Sequence, residues 1–543
     1  MFQRWMVALL VLLVPAAALA QLDSIIVTDA GFAGDHVVWS PDSANFYLLT
    51  EFIFVENGDT LEIEPGTVIK GEPGTADSAS ALIVARGGYL IADGTPSEPI
   101  IFTCQADDPT DPFDLPENLR GQWGGLVLLG VAGTNRAGDS GQIEGIPATE
   151  PRARYGPGAA FPLNNADNSG IVRYVSLRYG GTVIGANNEI NGLTMGGVGS
   201  GTTVDYVEAY NNADDGIEWF GGTVNVKHFV SARCDDDGYD YDEGWRGKGQ
   251  YWLLYFDDAD GNSGGEHDGG TTPEDGMPYA VPVVSNATWI GAGDASGAFN
   301  DMAFNIRDNA GGKYSNSIFA DFFGFGAQIE DLVSGKDSRE RLDSGEIEFQ
   351  RNIWYSFGSG DGVAQLFPEA WTQAHMSAPA NQNLFGVNPK LTSWPKPGRP
   401  ADGSFNPIPQ VGGPASSGGV VPVDPFFDVV TYKGAFDPNG TNWALGWTAL
   451  DFHGYFGNGN ACAIIVDGDL NASNTVTSSD IITLVNYVFK GGAEPEPCAA
   501  NGDVNCSGSV SSADVITLVN FVFKAGPPPC DICNTPAAQD CIP

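Results

Sequence analysis

Basic residues are scarce in this chain of 543 residues, which has 25 Lys and Arg against 68 Asp and Glu and a formal net charge of −43. A surface with this charge repels nucleic acids and anionic membranes, and it favours divalent cations as partners. Long apolar runs are scarce too, because no segment after the N-terminus reaches the length that a membrane span requires. These two absences argue against nucleic-acid binding and against a membrane-spanning protein.

The N-terminus has the pattern of a secretory signal peptide. Arg4 supplies the positive charge, Met6 to Val14 form a short apolar run, and Ala18-Leu19-Ala20 form a cleavage site. We expect residues 1–20 to be removed, and no cysteine follows the site to carry a lipid anchor. The sequence therefore predicts a secreted protein that is extracellular or associated with the cell surface.

The eight cysteines are concentrated at the other end of the chain. Six of them lie between residues 462 and 541, and Cys530 and Cys533 form a CxxC pair. Without a second CxxC or a nearby histidine, disulfides are favoured over a zinc or redox site, with the connectivity left open. Cys104 and Cys234 stand apart and are expected to be buried thiols.

One short segment, residues 204–244, contains an internal repeat. When its two halves are aligned, Val204 falls on Val226 and Asp214-Asp215-Gly216 falls on Asp236-Asp237-Gly238. A strand, an acidic turn and a second strand thus recur at a fixed period, which is typical of a solenoid whose coils bury their apolar faces by stacking.

Short strands that are cut by Gly and Pro turns continue through the rest of the first 458 residues. Later strands recur after Asn286, Asn316 and Asn352, whose wider spacing implies longer loops between the coils. We expect residues 424–458 to close one end of the solenoid, where a strand edge would otherwise be exposed. The alternative is that Trp443 and Trp447 form an aromatic platform for carbohydrate.

Several segments resemble the right-handed parallel β-helix of pectate-lyase-like proteins, and a group of secreted bacterial β-helix proteins in particular. The similarity lies in segments such as Ile63–Gly71 (IEPGTVIKG), Ala81–Gly88 (ALIVARGG), Gly264–Gly270 (GGEHDGG) and Arg307–Phe319 (RDNAGGKYSNSIF). The resemblance implies a mainly β fold over residues 21–458 and export from the cell. The resemblance does not indicate which residues, if any, are catalytic.

A second repeat begins after a linker at residues 459–466, and in it residues 469–490 align with residues 503–524. Each copy starts as a twelve-residue calcium loop with oxygen donors at positions one, three, five, seven and twelve. The donors are Asp469, Asn471, Ser473, Thr475 and Asp480 in the first loop, and Asp503, Asn505, Ser507, Ser509 and Asp514 in the second. An amphipathic helix follows each loop, and its apolar positions include Leu484 and Phe489, or Leu518 and Phe523.

This duplicated loop–helix, residues 467–530, resembles a type I dockerin, the module that attaches secreted proteins to cohesins. The resemblance implies calcium as the bound ion, a cohesin-type domain as the partner, and recognition through loop positions ten and eleven. Those residues are Ser478 and Ser479 in the first copy, and Ser512 and Ala513 in the second. Serine at position five removes a charge that is common in the family, so weaker calcium binding is expected. A cysteine-containing tail, residues 531–543, follows.

The acidic turns of the first repeat admit three interpretations. In a glycoside hydrolase, Asp214, Asp215, Asp236 and Asp237 would supply the acid and the base or nucleophile, with assistance from His267. In a lyase, calcium would neutralise an acidic sugar while Arg246 or Lys248 abstracts a proton. In the third interpretation the Asp-Gly pairs are turn residues that bind structural calcium. Repulsion between the stacked aspartates requires wide exposure, raised pKa values, basic partners such as Arg233, Arg246 and Lys248, or a cation.

The sequence therefore predicts a secreted parallel β-helix that is attached to a cohesin through a calcium-dependent dockerin-like module. The expected role is polysaccharide binding or catabolism, by a hydrolase or a lyase if the β-helix is catalytic. The alternative is a non-catalytic extracellular scaffold or adhesion protein with structural calcium sites.

Overall fold

The computed structural model describes most of the chain between residues 24 and 530. The described residues are 24–31, 35–184, 189–257, 261–270, 272–293, 299–393, 401, 403–420, 422–456, 468–471, 473, 475–496, 498–524, 526–527 and 529–530. The predicted signal peptide, the linker at 459–466 and the tail at 531–543 lie outside the described residues.

The chain forms a parallel β-helix with three strand faces. The first face contains His36–Trp39, Thr60–Ile63, Tyr89–Asp93, Val283–Ser285, Gly312–Ser315 and Ile347–Gln350. The second contains Ile25–Val27, Tyr47–Leu49, Val68–Gly71, Ile100–Cys104, Thr288–Ile290, Ile318–Ala320, Ile353–Tyr355 and Leu384–Phe385. Four long strands bend through both of these faces: Gly170–Arg178, Thr203–Tyr210, Asn225–Ala232 and Lys248–Tyr255.

The third face is a separate parallel sheet that follows the other two along the coils. Its strands are Phe52–Val55, Ala81–Val84, Leu126–Leu129, Leu193–Gly196, Ile217–Phe220, Tyr239–Asp242, Ser263–Asp268, Met302–Arg307 and Phe325–Ile329. The strands are short because Gly and Asp-Gly turns end each one after a few residues. The prediction of a mainly β, parallel β-helix fold is confirmed.

The strand register confirms the repeat that the sequence predicted. Val204 pairs with Val226 on the first face, and Glu218 pairs with Asp240 on the third. Farther along, Ile318 pairs with Ile353, which is one residue before the position that an alignment of Asn316 with Asn352 would give. The step from Asn286 to Asn316 agrees with the register, because Thr288 pairs with Ile318, so only the Asn352 coil departs from the asparagine spacing.

Stacked aromatic rings fill the interior of the later coils. Trp219 stacks on Trp252, with 5.4 Å between ring centroids, and Tyr239 stacks on both Trp252 (4.7 Å) and Trp289 (5.2 Å). Inward positions of successive coils lie one strand spacing apart, so identical orientations repeat along the axis. Burial of these rings supplies much of the apolar contact that holds the coils together.

The bend between the first two faces carries a column of stacked side chains. Tyr174, Tyr206, His228 and Tyr251 occupy equivalent positions, and all four have positive φ angles. Their ring centroids are 4.4, 4.1 and 4.8 Å apart along the column. The sharp turn of the backbone is therefore offset by ring stacking between neighbouring coils.

Residues 422–456, which we call the strap, lie lengthwise along the flank of the β-helix. The strap contacts a series of coils through Lys248–Asp424, Lys227–Asp428, Asn286–Tyr432, Thr288–Ala435, Glu208–Ala449 and Tyr179–His453. The expectation that this segment closes one end is therefore corrected. Trp447 is buried, and Trp443 packs against Tyr206 and His228, so neither presents an open platform for a sugar ring.

The remaining elements are small. The helices are α1 (Ser338–Asp343), α2 (Val363–Leu366), α3 (Ala370–Met376), α4 (Ala449–Phe452), α5 (Ser478–Lys490) and α6 (Ser512–Lys524). Two antiparallel pairs join Gly141–Gln142 to Arg154–Tyr155 and Leu391–Ser393 to Asn406–Pro409. Among the described residues, no helix has both the length and the apolar character that crossing a bilayer requires.

Helices α5 and α6 belong to the duplicated C-terminal module and share a small core. This core consists of Leu470, Leu484, Val504 and Leu518, at equivalent positions of the two copies. Cys506 forms a disulfide with Cys530, and Cys498 is also disulfide-bonded. Cys104 and Cys234 are buried thiols, as expected.

Candidate functional site

Six carboxylates lie together on the outside of the third face, and we call this set the acidic face. It comprises Asp214, Asp215, Glu218, Asp236, Asp237 and Asp240. Strand alternation sends Ile217 and Trp219 into the core, so Glu218 between them points outward, and Asp240 follows it one coil later. The four aspartates of the turns enter the same face at its edge. The structure thus brings together the four turn aspartates that the repeat aligns, with Glu218 and Asp240 beside them.

The second aspartate of each acidic turn binds the backbone of the next coil. Asp215 Oδ1 accepts a hydrogen bond of 2.8 Å from the Asp237 amide, and Asp237 Oδ1 accepts one of 2.5 Å from the Ser263 amide. Both side chains are buried, whereas Asp214 and Asp236 are partly exposed. Asp215 and Asp237 therefore link each turn to the next by hydrogen bonds. Asp214 and Asp236 are the turn aspartates that an external ligand can reach.

The carboxylates are close enough to share a ligand or a proton. Single oxygens from Asp214, Asp215 and Asp236 lie within 4.8 Å of one another, and so do oxygens from Asp215, Glu218 and Asp240. Burial, followed by the charges of Glu144 and Asp236, raises the pKa of Asp214 to about 8. Burial also raises the pKa values of Asp215, Glu218, Asp237 and Asp240 well above their ordinary range.

The basic residues that the sequence placed near this face are used elsewhere. Arg246 donates to the carbonyl oxygens of Gly133 and Gly244, at 3.0 and 3.1 Å, and Lys248 pairs with Asp424 of the strap at 2.7 Å. Arg233 pairs with Asp257 and Glu117. Across the described part of the chain, no lysine or arginine forms an ion pair with the acidic face.

His267 is not part of the acidic face. Its neighbours Glu266 and Asp268 point outward, but strand alternation turns the imidazole into the interior, where it is fully buried. The ring stacks on Tyr241 with 4.1 Å between centroids, and Nε2 lies 3.1 Å from the Tyr314 hydroxyl oxygen. Burial lowers the pKa of His267 well below its ordinary value. The expectation that His267 assists the carboxylates is therefore corrected, and the residue belongs to the core.

An open cleft continues the outer surface of the third face beyond the acidic face. It has a volume of about 660 Å³, and its lining includes Asn305, Arg307, Gln328 and Glu330. Arg307 bridges Glu266 and Asp268 with contacts of 2.6 and 2.7 Å. The outer surface of this sheet thus changes from purely acidic to mixed charge along the axis, which gives an elongated polar ligand both acceptors and donors.

The two loops of the C-terminal module have the donor set of a calcium site. The aspartates at positions one and twelve, Asp469, Asp480, Asp503 and Asp514, are all buried. Their oxygens accept hydrogen bonds from amides of their own loop, for example from Leu470 to Asp480 Oδ1 at 2.9 Å and from Ser507 to Asp503 Oδ1 at 3.0 Å. These bonds orient the carboxylates towards the loop interior.

One further atom in the second loop lacks a partner. Asn505 Oδ1, at position three, is buried and has no hydrogen-bond partner among the described residues. An unpartnered buried oxygen is costly, and a hard cation is a ligand that would satisfy it. The Ser473 and Ser507 hydroxyls, at position five, lie near the position-seven carbonyl oxygens of Thr475 and Ser509. The residues present therefore fit calcium, with side-chain and backbone oxygens arranged around each loop.

The first turns of α5 and α6 and their outer faces are open to solvent. Ser478, Ser479, Ser512 and Ala513 are all exposed, as a partner-binding role requires. On the same helices Ile482, Phe489, Ile516 and Phe523 are 61 to 65% exposed. The sequence assigned Phe489 and Phe523 to the apolar stripe of their helices, and it missed Ile482 and Ile516. The signal was available, because seven-residue spacing repeats in both copies outside the stripe that Leu484 and Leu518 occupy.

The architecture defines the class of protein, a parallel β-helix joined to a duplicated loop–helix module. Comparison with known families identifies both parts. The chain belongs to the family of the pectate-lyase like beta helix domain, whose model matches residues 31–375, and a dockerin type I domain matches residues 467–523. Neither the curated proteins nor the solved structures gave a match to the chain. The protein is therefore dockerin-bearing and related to polysaccharide-acting β-helix proteins, and a dockerin implies a cohesin as its partner.

Proposed function

We propose that this protein is secreted, is attached to a cohesin through calcium-dependent pairing of its C-terminal module, and takes part in polysaccharide binding or breakdown through its β-helix. One observation carries the first part of the proposal. Two calcium-type loops stand directly before two helices whose exposed faces repeat the same hydroxyl and apolar residues.

Calcium would act on the module by fixing the helices that its loops precede. Each loop ends at an aspartate in the first turn of its helix, Asp480 or Asp514, so an ion bound there holds loop and helix together. Because the two carboxylates that converge in each loop repel each other without a cation, removal of calcium should loosen the module.

The exposed helix surfaces favour a protein partner. Ser478, Ile482 and Phe489 are separated by four and then seven positions, so they lie on one side of α5. Ser512, Ile516 and Phe523 have the same arrangement on α6. Large apolar side chains that remain exposed among hydroxyl groups are typical of an interface that a partner covers.

Calorimetric titration of the full chain with a type I cohesin would test the attachment. We expect binding in calcium and its loss in a chelator. Asp480→Asn/Asp514→Asn should weaken binding at least tenfold at limiting calcium, whereas Glu494→Gln, which removes an exposed charge of the same module, should not. Equal binding by both variants and in the chelator would refute calcium-dependent pairing.

The polysaccharide role is supported by the family of the β-helix and by the outer surface of its third face. If the β-helix is a hydrolase, Asp214 and Asp236 are the best candidates, because both are partly exposed. Both lie at the edge of the third face, where they would supply the acid and the base or nucleophile that hydrolysis requires. A lyase has less support, since Arg246 and Lys248 are both engaged away from the acidic face.

A non-catalytic scaffold or adhesion protein is the second candidate function. It is favoured by the burial of Asp215 and Asp237, whose carboxylates accept hydrogen bonds from backbone amides of the following coil. In that case the outer surface of the third face would bind glycans without cleaving them.

A panel of neutral and acidic polysaccharides, incubated with the calcium-loaded chain, would separate the two candidates. New reducing ends would identify a hydrolase, and unsaturated products a lyase. Asp214→Asn/Asp236→Asn should abolish hydrolysis, and Glu98→Gln, an exposed carboxylate of a distant turn, should leave it unchanged. Binding without any product would support the scaffold, and neither binding nor product would refute the polysaccharide role.

A further inference from the structure

The carboxylates of the acidic face lie close together and largely buried, and no basic side chain among the described residues forms an ion pair with them. Asp215, Glu218 and Asp237 are buried, Asp240 lies against them, and Arg307 on the same sheet is bridged to the next coil's carboxylates. Like charges at this separation repel strongly where water is excluded. Either several carboxyls hold protons at neutral pH, or a cation lies among them.

The geometry of three of these carboxylates matches one coordination shell. Single oxygens of Asp215, Glu218 and Asp240 lie within 4.8 Å of one another. Oxygens bound to calcium at roughly 2.3–2.6 Å are at most about 5 Å apart when they lie on opposite sides of the ion. Three ligands from two adjacent coils can therefore reach one ion without rearrangement of the backbone.

Two uncharged side chains at the same place point independently to a ligand. Asn191 is 1% exposed, and its Nδ2 donates to Glu218 Oε2 at 2.5 Å, while its Oδ1 is buried and has no partner among the described residues. Thr194 is 2% exposed and pairs in register with Glu218, and its hydroxyl also lacks a partner within the described chain. Buried oxygens without partners are rare in proteins, and these two adjoin the carboxylates.

We propose that Asp215, Glu218 and Asp240, together with Asn191 Oδ1, bind one hard divalent cation, calcium, on the outside of the β-helix. The donor set is all oxygen, which favours calcium or magnesium over zinc or copper. The ion links the coils that contain Asn191, Glu218 and Asp240, so its role is to hold the stack together. This site is separate from the two loops of the dockerin module, and it stands whether or not the β-helix is an enzyme.

Terbium luminescence can detect this site apart from the dockerin loops. Every tryptophan of the chain lies at or before residue 447, and Trp219 directly follows Glu218. Trp219 also stacks on Trp245 with 4.2 Å between centroids, so tryptophan excitation will sensitise a terbium ion bound at the acidic face. The dockerin loops contain no tryptophan and will contribute little to this signal.

The experiment titrates the full chain with Tb³⁺ under tryptophan excitation and then adds Ca²⁺. We expect a saturable signal that calcium displaces. Glu218→Gln/Asp240→Asn should lose at least fivefold in amplitude, and Glu98→Gln should match the native chain. An absent signal in the native chain, or an equal signal in the double variant, would overturn the proposal.

A second measurement keeps the proposal testable if the double variant binds terbium elsewhere. Tryptophan fluorescence reports unfolding of the β-helix and not of the dockerin module, because the dockerin module contains no tryptophan. Calcium should raise the unfolding temperature of the native chain and leave that of Glu218→Gln/Asp240→Asn unchanged. In a chelator the double variant should melt at or above the native temperature, because two repelling charges are gone. An equal calcium-dependent rise in both chains would contradict the proposed site.

Discussion

One buried carboxylate, Glu208, joins the strap to the β-helix. Its side chain is fully buried and accepts hydrogen bonds from the Ala449 amide at 2.6 Å, the Leu450 amide at 3.0 Å and the Ser176 hydroxyl at 2.6 Å. Burial raises the pKa of Glu208 above its ordinary value, and the neighbouring Arg178 and these hydrogen bonds offset only part of that shift. The carboxylate thus joins the start of α4 to the second face of the β-helix.

Glu208→Ala would leave two amides of the strap buried without an acceptor. At about 1–3 kcal/mol for each unsatisfied group, we expect a loss of about 4 kcal/mol in the free energy of unfolding. Glu208→Gln keeps one carbonyl acceptor but opposes an amide N–H with its own NH₂ group, so a loss of about 2 kcal/mol is expected.

Denaturant unfolding followed by tryptophan fluorescence would measure these losses. Hydrogen exchange at Ala449 and Leu450 would locate them, because loss of the acceptor should speed exchange there before it does so in the core strands. Glu98→Gln serves as the control for removal of one charge. Native-like exchange at both amides in Glu208→Ala would refute the role assigned to this carboxylate.

Three further predictions concern other parts of the chain. Burial, and then Arg178, lowers the pKa of His453 to about 4, below its unfolded value of about 6.5, so the folded state disfavours the proton. Stability that is complete above about pH 6.5 should fall by up to about 3 kcal/mol as pH drops towards 4, and His453→Gln should flatten that part of a denaturation profile. Phe304 is fully buried against Trp289 and Phe319, so Phe304→Ala should cost about 3–5 kcal/mol in the same assay, and a cost below about 1 kcal/mol would contradict the described packing. The Cys506–Cys530 disulfide spans 24 residues, so Cys506→Ser/Cys530→Ser should destabilise the dockerin module by about 3 kcal/mol, measured by helical circular dichroism, without a change in tryptophan fluorescence.

The stacking of the β-helix could be predicted from the sequence because its turns repeat. The alignment of Val204 with Val226 follows from two copies of an Asp-Asp-Gly turn, and the register of both Val204 and Glu218 agrees with it. The duplication of the C-terminal module was predictable for the same reason, since the oxygen-bearing side chains of the first loop recur at the same positions of the second. In a repeat, equivalent residues of neighbouring copies lie side by side, so aligning the copies predicts which residues are neighbours. A single strand gives no such information.

Other features depended on contacts that no local pattern encodes. The strap meets Glu208 across 241 residues, and its sequence has no periodicity to indicate where it lies. His267 follows Glu266 in the chain, but alternation along the strand separates them to opposite sides of the sheet. Phe489 and Phe523 look like core residues of amphipathic helices in the sequence, yet both are exposed. The sequence alone does not distinguish an apolar residue of the core from an apolar residue of an exposed surface.

We propose that this one chain connects a polysaccharide to a cohesin in a calcium-dependent manner. A sedimentation assay with an insoluble polysaccharide and a labelled type I cohesin would test it most directly. With the native chain and calcium, we predict that the cohesin pellets with the polysaccharide, and that a chelator or Asp480→Asn/Asp514→Asn returns it to the supernatant. Cohesin that stays in solution with every polysaccharide tested, or that pellets equally well without calcium, would contradict the account.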